Sequence, residues 1–265
     1  MMDKMIFGRY IPGDSLIHRM DPRSKIISIF IFICIVFLAN NIYTYSLLTL
    51  FVLLIIYLTR LKVTFLLNGL RPVVYLIIFT FVLQLFFTRE GEIIFSLGWI
   101  KIYEMGLKQA IFISLRFFLL VLVTSLLTLT TTPITLTDGI ETLLNPLKKV
   151  KFPVHELALM MSISLRFIPT LMDELDKIMK AQIARGVEFS SGSIKQRIQA
   201  IIPLLIPLFI SSFKRAEELS VAMEARGYRG GEGRTKYRLL EWKAVDTLAI
   251  VILLGLAGVL IVLRT

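Results

Sequence analysis

The sequence predicts an all-α integral membrane protein: about five membrane-spanning helices joined to a long, basic helical segment on the cytoplasmic side. Three observations predict it. Apolar residues make up 56% of the 265 residues, far more than a soluble domain of this length carries. Only 18% are charged, and these cluster between uncharged runs of bilayer length, as a hydrocarbon core requires. The Lys and Arg residues lie mostly on one side of those runs, which accounts for the net charge of +11 without a nucleic-acid partner.

From Ile26 to Thr59 the chain carries no charge, a stretch too long for one span at about 1.5 Å per residue. Asn40-Asn41 near its middle makes a turn, so the run reads as a hairpin of spans, 24–39 and 42–59. Residues 72–88 make the third span, with Pro72 in its first turn, where a missing N–H costs little. Residues 89–107 read as a mixed loop and 108–131 as the fourth span. These elements form an N-terminal membrane domain, 1–131; a cytoplasmic domain, 132–243, follows, and 244–265 holds the final span. The first apolar run begins after a polar stretch and lacks a small-residue cleavage site, so it reads as a retained span rather than a leader.

Basic residues set the orientation. The N-terminal segment has five, the 60–71 loop three and residues 132–243 seventeen, against three in the 89–108 loop and one, Arg264, at the end. This predicts a cell-membrane, multi-pass protein with its N-terminus and 132–243 in the cytoplasm and its C-terminus outside.

The 132–243 segment holds two helix-length patterns. Leu157, Met161, Leu165, Ile168, Met172, Leu175 and Met179 recur at spacings of three and four, predicting an amphipathic helix over 153–185. Ile198, Ile202, Leu205, Phe209, Ser212, Ala216, Leu219 and Met223 predict a second over 193–226, with Ser193 as its N-cap. The small residues Ser211, Ser212 and Ala216 suit a close helix crossing. A shorter helix over 136–149, broken by Pro146, leads in. The uncharged run 198–213 is short and contains Pro203 and Pro207, so it reads as a buried or membrane-grazing helix rather than a span.

Both long helices end in one pattern, Ala-x-x-Ala-Arg-Gly: Ala181 to Gly186, and Ala222 to Gly227, 41 residues apart. Taken singly, each is an ordinary helix stop, with Arg at the negative end of the dipole and Gly in the left-handed position. A stop alone requires neither alanine, nor the same choice twice. Alanines leave a slim tip that fits a groove, and Arg offers a forked donor to carboxylates or carbonyls within it. Two such tips imply two docking sites, most simply on a two-subunit partner. The candidate docking residues are Ala184, Arg185, Gly186, Ala225, Arg226 and Gly227. Arg166, just before Pro169, reads as a brace between helices. Arg116 lies inside a span, where its charge either serves a function or snorkels to the interface.

Other chemistries lack their residues. There is no phosphate-binding G-x-x-x-x-G-K-[ST], H-E-x-x-H or G-x-S-x-G. Cys34 is alone, and His18 and His155 are far apart in sequence, so no metal or other cofactor is expected. The spans carry no Asp or Glu except Asp246 at a terminus, so energy for transport should come from a partner. No catalytic role is expected.

The paired tips, Leu165-Arg-Phe-Ile-Pro169 followed by Ala181-Gln182, and Ala222-Met-Glu-Ala-Arg-Gly-Tyr228 resemble the transmembrane scaffold subunit (EcfT) of energy-coupling factor (ECF) transporters. Gly8-Arg-Tyr-Ile-Pro-Gly-Asp14-Ser15 and His18-Arg-Met-Asp21-Pro22-Arg23-Ser-Lys25 resemble that family's opening. The resemblance implies long, crossed cytoplasmic coupling helices beside a membrane bundle. It implies two ABC-type ATPase partners, of the EcfA and EcfA′ type, whose grooves receive the two Ala-Arg-Gly tips. It also implies a small membrane S component that captures a vitamin or other micronutrient, to which the coupling helices pass ATP-driven motion. A dedicated cobalt, nickel or biotin scaffold is the alternative within the family. A membrane insertase or assembly factor is the alternative from another class.

Overall fold

The computed structural model describes residues 10–61, 63–88, 90–97, 100–189, 193–230 and 239–264. It divides into two compact units, one of Met1–Leu143 with Leu240–Thr265 and one of Leu144–Leu239.

In the first unit, α1 (Pro22–Leu38) starts on Asp21, whose carboxylate accepts the Arg23 N–H, with Pro22 opening the helix. Asn41 and Thr44 form a reciprocal cap that starts α2 (Ile42–Thr59) directly after α1. The expected hairpin at Asn40-Asn41 is therefore present. α3 runs unbroken over Val63–Phe87, with Pro72 inside it rather than in its first turn. Membrane helices tolerate such an interior proline because neighbouring groups compensate for the lost hydrogen bond. The segment expected as a mixed loop contains an antiparallel hairpin, β1 (Ile93–Leu97) with β2 (Ile100–Tyr103). Its Ile, Phe and Tyr residues are strand formers, a local signal outweighed by the surrounding charge and glycine. α4 (Glu104–Thr130) packs along α3, and Gly106 lets the α3 end approach: a Cβ there would lie 2.9 Å from the Thr88 carbonyl oxygen. α5 (Pro133–Leu144) follows α4. α8 (Ala244–Leu263) closes the unit against α1. Phe32, Val36, Tyr45, Leu48, Val52, Leu119, Leu126, Leu253 and Leu260 form one core between α1, α2, α4 and α8.

Polar contacts fix the directions of these helices. Asp246 at the start of α8 accepts the Asp21 N–H at 2.9 Å and the Ser24 hydroxyl, both at the start of α1. At the other end, the Asn41 amide donates to the Leu263 carbonyl at 3.0 Å. Thus α1 and α8 run parallel. The Lys25 ammonium donates to the Thr130 carbonyl and the Thr131 hydroxyl, each at 3.0 Å, so α4 ends where α1 begins. The chain therefore leaves α4 and enters α8 on the side where α1 starts. Ahead of α1, the Ser15 hydroxyl lies 2.6 Å from His18 Nδ1, and His18 Nε2 lies 3.1 Å from the Ile11 carbonyl. Burial pushes the His18 imidazole below its usual pKa, against the raising effect of that carbonyl. Burial also pushes the Asp21 carboxyl up, but hydrogen bonds from Arg23 outweigh it and hold the group below the ordinary value.

The second unit opens with a 3-10 turn, Asn145–Val150, which starts at the break expected at Pro146 in the 136–149 helix. Two long helices follow, α6 (Val154–Ala184) and α7 (Ile194–Ala225). Ser193 caps α7 as expected, accepting the Gln196 N–H while Gln196 bonds back.

Among the described residues, five helices are long and apolar enough to cross a membrane by length and composition: α2, α4, α6, α7 and α8. The sequence-based set of spans contained α1 and α3 in place of α6 and α7. α1 has 17 residues and α3 has 25, lengths at the two ends of the range that spans a bilayer, and the uncharged part of α3 is Pro72–Phe87.

Candidate docking site at the tips of the long helices

A polar contact joins α6 and α7. Glu174 accepts the Ser211 hydroxyl at 2.6 Å and the Arg215 guanidinium at 2.9 Å. Both charged side chains are half-buried. The expected small residue Ser211 is thus at the junction, while Ser212 and Ala216 line a groove of about 490 Å³ beside it. Ile163, Phe167 and Leu171 of α6 form the opposite wall. Much of the apolar stripe on each helix is open: Met161, Ile168 and Met172 of α6 are exposed, as are Ile198, Ile202, Leu205 and Phe209 of α7.

Both helix ends have the same geometry. In α6, Arg185 is the C-cap, Gly186 takes φ +87°, the Gly186 N–H donates to the Ile183 carbonyl and the Val187 N–H to that of Gln182. In α7, Arg226 is the C-cap, Gly227 takes φ +75°, the Gly227 N–H donates to the Glu224 carbonyl and the Tyr228 N–H to that of Met223. Each is a complete Schellman motif. A Cβ at either glycine would meet nothing within 4 Å, so backbone conformation and not space demands glycine. Ala184, Arg185, Gly186, Ala225, Arg226 and Gly227 are all exposed. With no Cβ branch and no neighbour over them, the tips are narrow cationic ends.

The tips are also equivalent in register. Arg185 lies eleven residues beyond Glu174, and Arg226 eleven beyond Arg215. Eleven helical residues rise about 16 Å. The link from Arg185 to Ile194 reaches at most about 32 Å, so the start of α7 must stay near the end of α6. Given about 30 Å of α7 before Arg215, the two tips must then point apart, with at least about 25 Å between them.

Arg166 is exposed on α6, and Pro169 is inside that helix. The junction contacts that join α6 to α7 run through Glu174, a residue whose role sequence reasoning missed. Its signal was present: Glu174 and Arg215 are separated by the same 41 residues as the two tips. Arg116, in α4, donates to the Tyr45 hydroxyl and the Ala39 carbonyl, both at 3.1 Å, and its guanidinium lies 5.2 Å from the centre of the Phe37 ring. It ties α4 to the end of α1 and the start of α2, a pairing between distant positions that spacing alone does not reveal.

Fold and tips define a class: a multi-pass helical membrane protein that carries two matched helix ends on a separate helical unit. Residues 13–237 match the family described as CbiQ, cobalt transport protein. The chain is 66% identical over 264 residues to the energy-coupling factor transporter transmembrane protein EcfT of Bacillus subtilis (strain 168), covering all of both chains. It is 56% identical over 265 residues to EcfT of Listeria innocua, again over all of both, and 54% identical to EcfT of Streptococcus equi, over all of this chain and 98% of that one. The chain belongs to the EcfT family and is a transmembrane component of an energy-coupling factor transporter.

Proposed function

We propose that this chain is the scaffold through which two ABC-type ATPase subunits drive a substrate-capturing membrane S component in vitamin or micronutrient uptake. It binds no nucleotide itself; hydrolysis belongs to the partners. The observation that carries the reading is the pair of identical, exposed Ala-Arg-Gly tips, each eleven residues from a shared Glu174–Arg215 junction. Equal arms about one salt bridge suit a paired motor: movement of either tip turns its helix about the same point. Ala184, Arg185 and Gly186 enter one ATPase groove, and Ala225, Arg226 and Gly227 the other. The Schellman bonds of each tip satisfy its last carbonyls locally, leaving the guanidinium free for the groove. The exposed apolar residues of α6 and α7 supply the surface on which the S component moves, with Arg166 and Pro169 bracing the helix behind it. The basic-residue asymmetry, and the return of α4 and α8 to the side where α1 starts, support a cytoplasmic N-terminus and cytoplasmic 132–243, with the C-terminus outside.

The family described as a cobalt transport protein favours a second reading, a dedicated cobalt or nickel scaffold. The subunit that co-purifies decides between them: a vitamin-binding S component supports the first, a metal-capture subunit the second.

Reversing both charges tests the docking. Arg185→Glu with Arg226→Glu should abolish ATPase co-purification and uptake, because each groove then meets a repelling carboxylate. Either change alone should retain part of both. Normal uptake by the double variant at normal membrane abundance would refute the assignment.

A further inference from the structure

We propose that the first unit holds one anionic phospholipid, with an acyl chain in a groove between α2 and α8 and its phosphate at Arg19 and Arg60. The groove encloses about 270 Å³. Its walls are almost wholly apolar and include Phe51 and Leu54 of α2, Leu126 of α4, and Leu248 and Ile252 of α8. Leu54, Leu248 and Ile252 stay exposed, so these helices leave the groove open along its side.

One end of the groove is chemically different. Leu16 and Leu58 line it and also line an adjoining shelf, where Arg19 and Arg60 sit with Asp14 and Ser15. Among the described residues Asp14 is the one opposing charge on the shelf; it lies 3.9 Å from Arg19, and both side chains are largely in solvent, so it neutralises little. The Ser15 hydroxyl is engaged with His18. The two arginines are thus available to a phosphate, which they recognise better than lysines because of their planar fork. Aromatic residues mark the level of this end. Tyr57 on the shelf is 82% exposed, and Trp242, just before α8, is 43% exposed, the amphipathic pair expected where hydrocarbon meets headgroups. An apolar slot below that level and two guanidiniums at it match a phospholipid from tail to head.

Chemistry argues against a partner helix as the occupant. A partner helix would bring an apolar face to the slot but no phosphate to Arg19 and Arg60, whereas a lipid brings both. One acyl chain enters from the open side.

Native mass spectrometry of the full-length protein, released from mild detergent with equal amounts of dioleoyl phosphatidylglycerol and phosphatidylcholine, tests the site. One phosphatidylglycerol should remain bound, preferred at least about tenfold over phosphatidylcholine. Arg19→Glu with Arg60→Glu should remove that preference. Ala249→Phe, which keeps both arginines but fills the groove, should lose the lipid altogether. A second reading needs no mass measurement. With Trp99→Phe leaving Trp242 as the only tryptophan, spin-labelled phosphatidylglycerol should quench its fluorescence more than the labelled phosphatidylcholine does, and Ala249→Phe should erase the difference. Equal retention of both lipids, retention unaffected by either variant, or a cross-link from Leu248→Cys to a partner subunit at full yield would each overturn the proposal. ATPase co-purification reads the helix tips and should survive these substitutions, so failure here is separable from failure of the docking assignment.

Discussion

At the residue scale, Gly186 and Gly227 show how a short word in the sequence becomes a shape. Both stand at positive φ in open space, so alanine at either would strain the backbone without creating a clash. The expected cost is about 1 kcal/mol per site, which corresponds to about fivefold faster hydrogen exchange in the last turn of α6 or α7. Asparagine, which tolerates the left-handed region, should cost less. Equal exchange in Gly186→Ala and the parent protein would mean that the Schellman bonds do not hold the tip. The tips were legible in the sequence because every residue they need is local: the cap, the left-handed glycine and the slim approach all fall within six positions. Arg116 was not legible in that way. A charge in a span demands a partner, but its partners, Tyr45 and the Ala39 carbonyl, are about 70 residues away in the chain and include a backbone atom. Only packing brings them together.

At the scale of elements, helix type and extent followed from periodicity for α6 and α7, whose ends fall within a residue or two of those expected. Periodicity did not say which face each helix turns toward the other. The stripe through Met161, Ile168 and Met172 stays exposed, while Ile163, Phe167 and Leu171 meet α7. A helix that is apolar on several faces offers more than one stripe, and the choice is made by polar contacts, here Glu174 with Ser211 and Arg215. If that contact sets the register, Glu174→Ala and Arg215→Ala should be coupled. A double-mutant cycle on the thermal stability of the purified protein should give about 0.5–1 kcal/mol, the range for a partly exposed pair. Exchanging the charges, Glu174→Arg with Arg215→Glu, should restore most uptake lost by either single reversal. Additive single effects and no rescue would show that the register is set elsewhere. The misread elements have equally local causes. Pro72 looked like a helix start because soluble proteins place proline there, whereas a membrane helix accommodates it internally. The hairpin at Ile93–Tyr103 was hidden because its strands are only five and four residues long.

At the scale of the whole molecule, the chain leaves the first unit at Leu144 and returns to it at Leu240, and the return point needs a fixed anchor. Asp246 supplies it. The residue is fully buried, and its carboxylate accepts from the Asp21 N–H, the Ser24 hydroxyl and the Lys243 N–H. Arg23 extends the anchor, bonding both carboxylate oxygens of Asp21 and the Leu240 carbonyl and lying 5.7 Å from the Trp242 ring centre. α1 and α8 are therefore held together at one end by charge-assisted hydrogen bonds in addition to apolar packing, which is weakly selective within a bilayer because lipid tails compete for the same surfaces. Asp246→Ala would leave the buried Asp21 N–H unsatisfied and remove an acceptor from the Ser24 hydroxyl and the Lys243 N–H, and should cost about 2 kcal/mol or more. Asp246→Asn keeps an acceptor oxygen in place and should cost about half as much. Thermal unfolding in detergent should accordingly rank the parent protein first, then Asn, then Ala. Cysteine cross-linking between the starts of α1 and α8 should lose efficiency in the same order. Were Asp246→Ala to unfold no earlier than Asp246→Asn while cross-linking persisted, the closure of the bundle would lie in its apolar core instead.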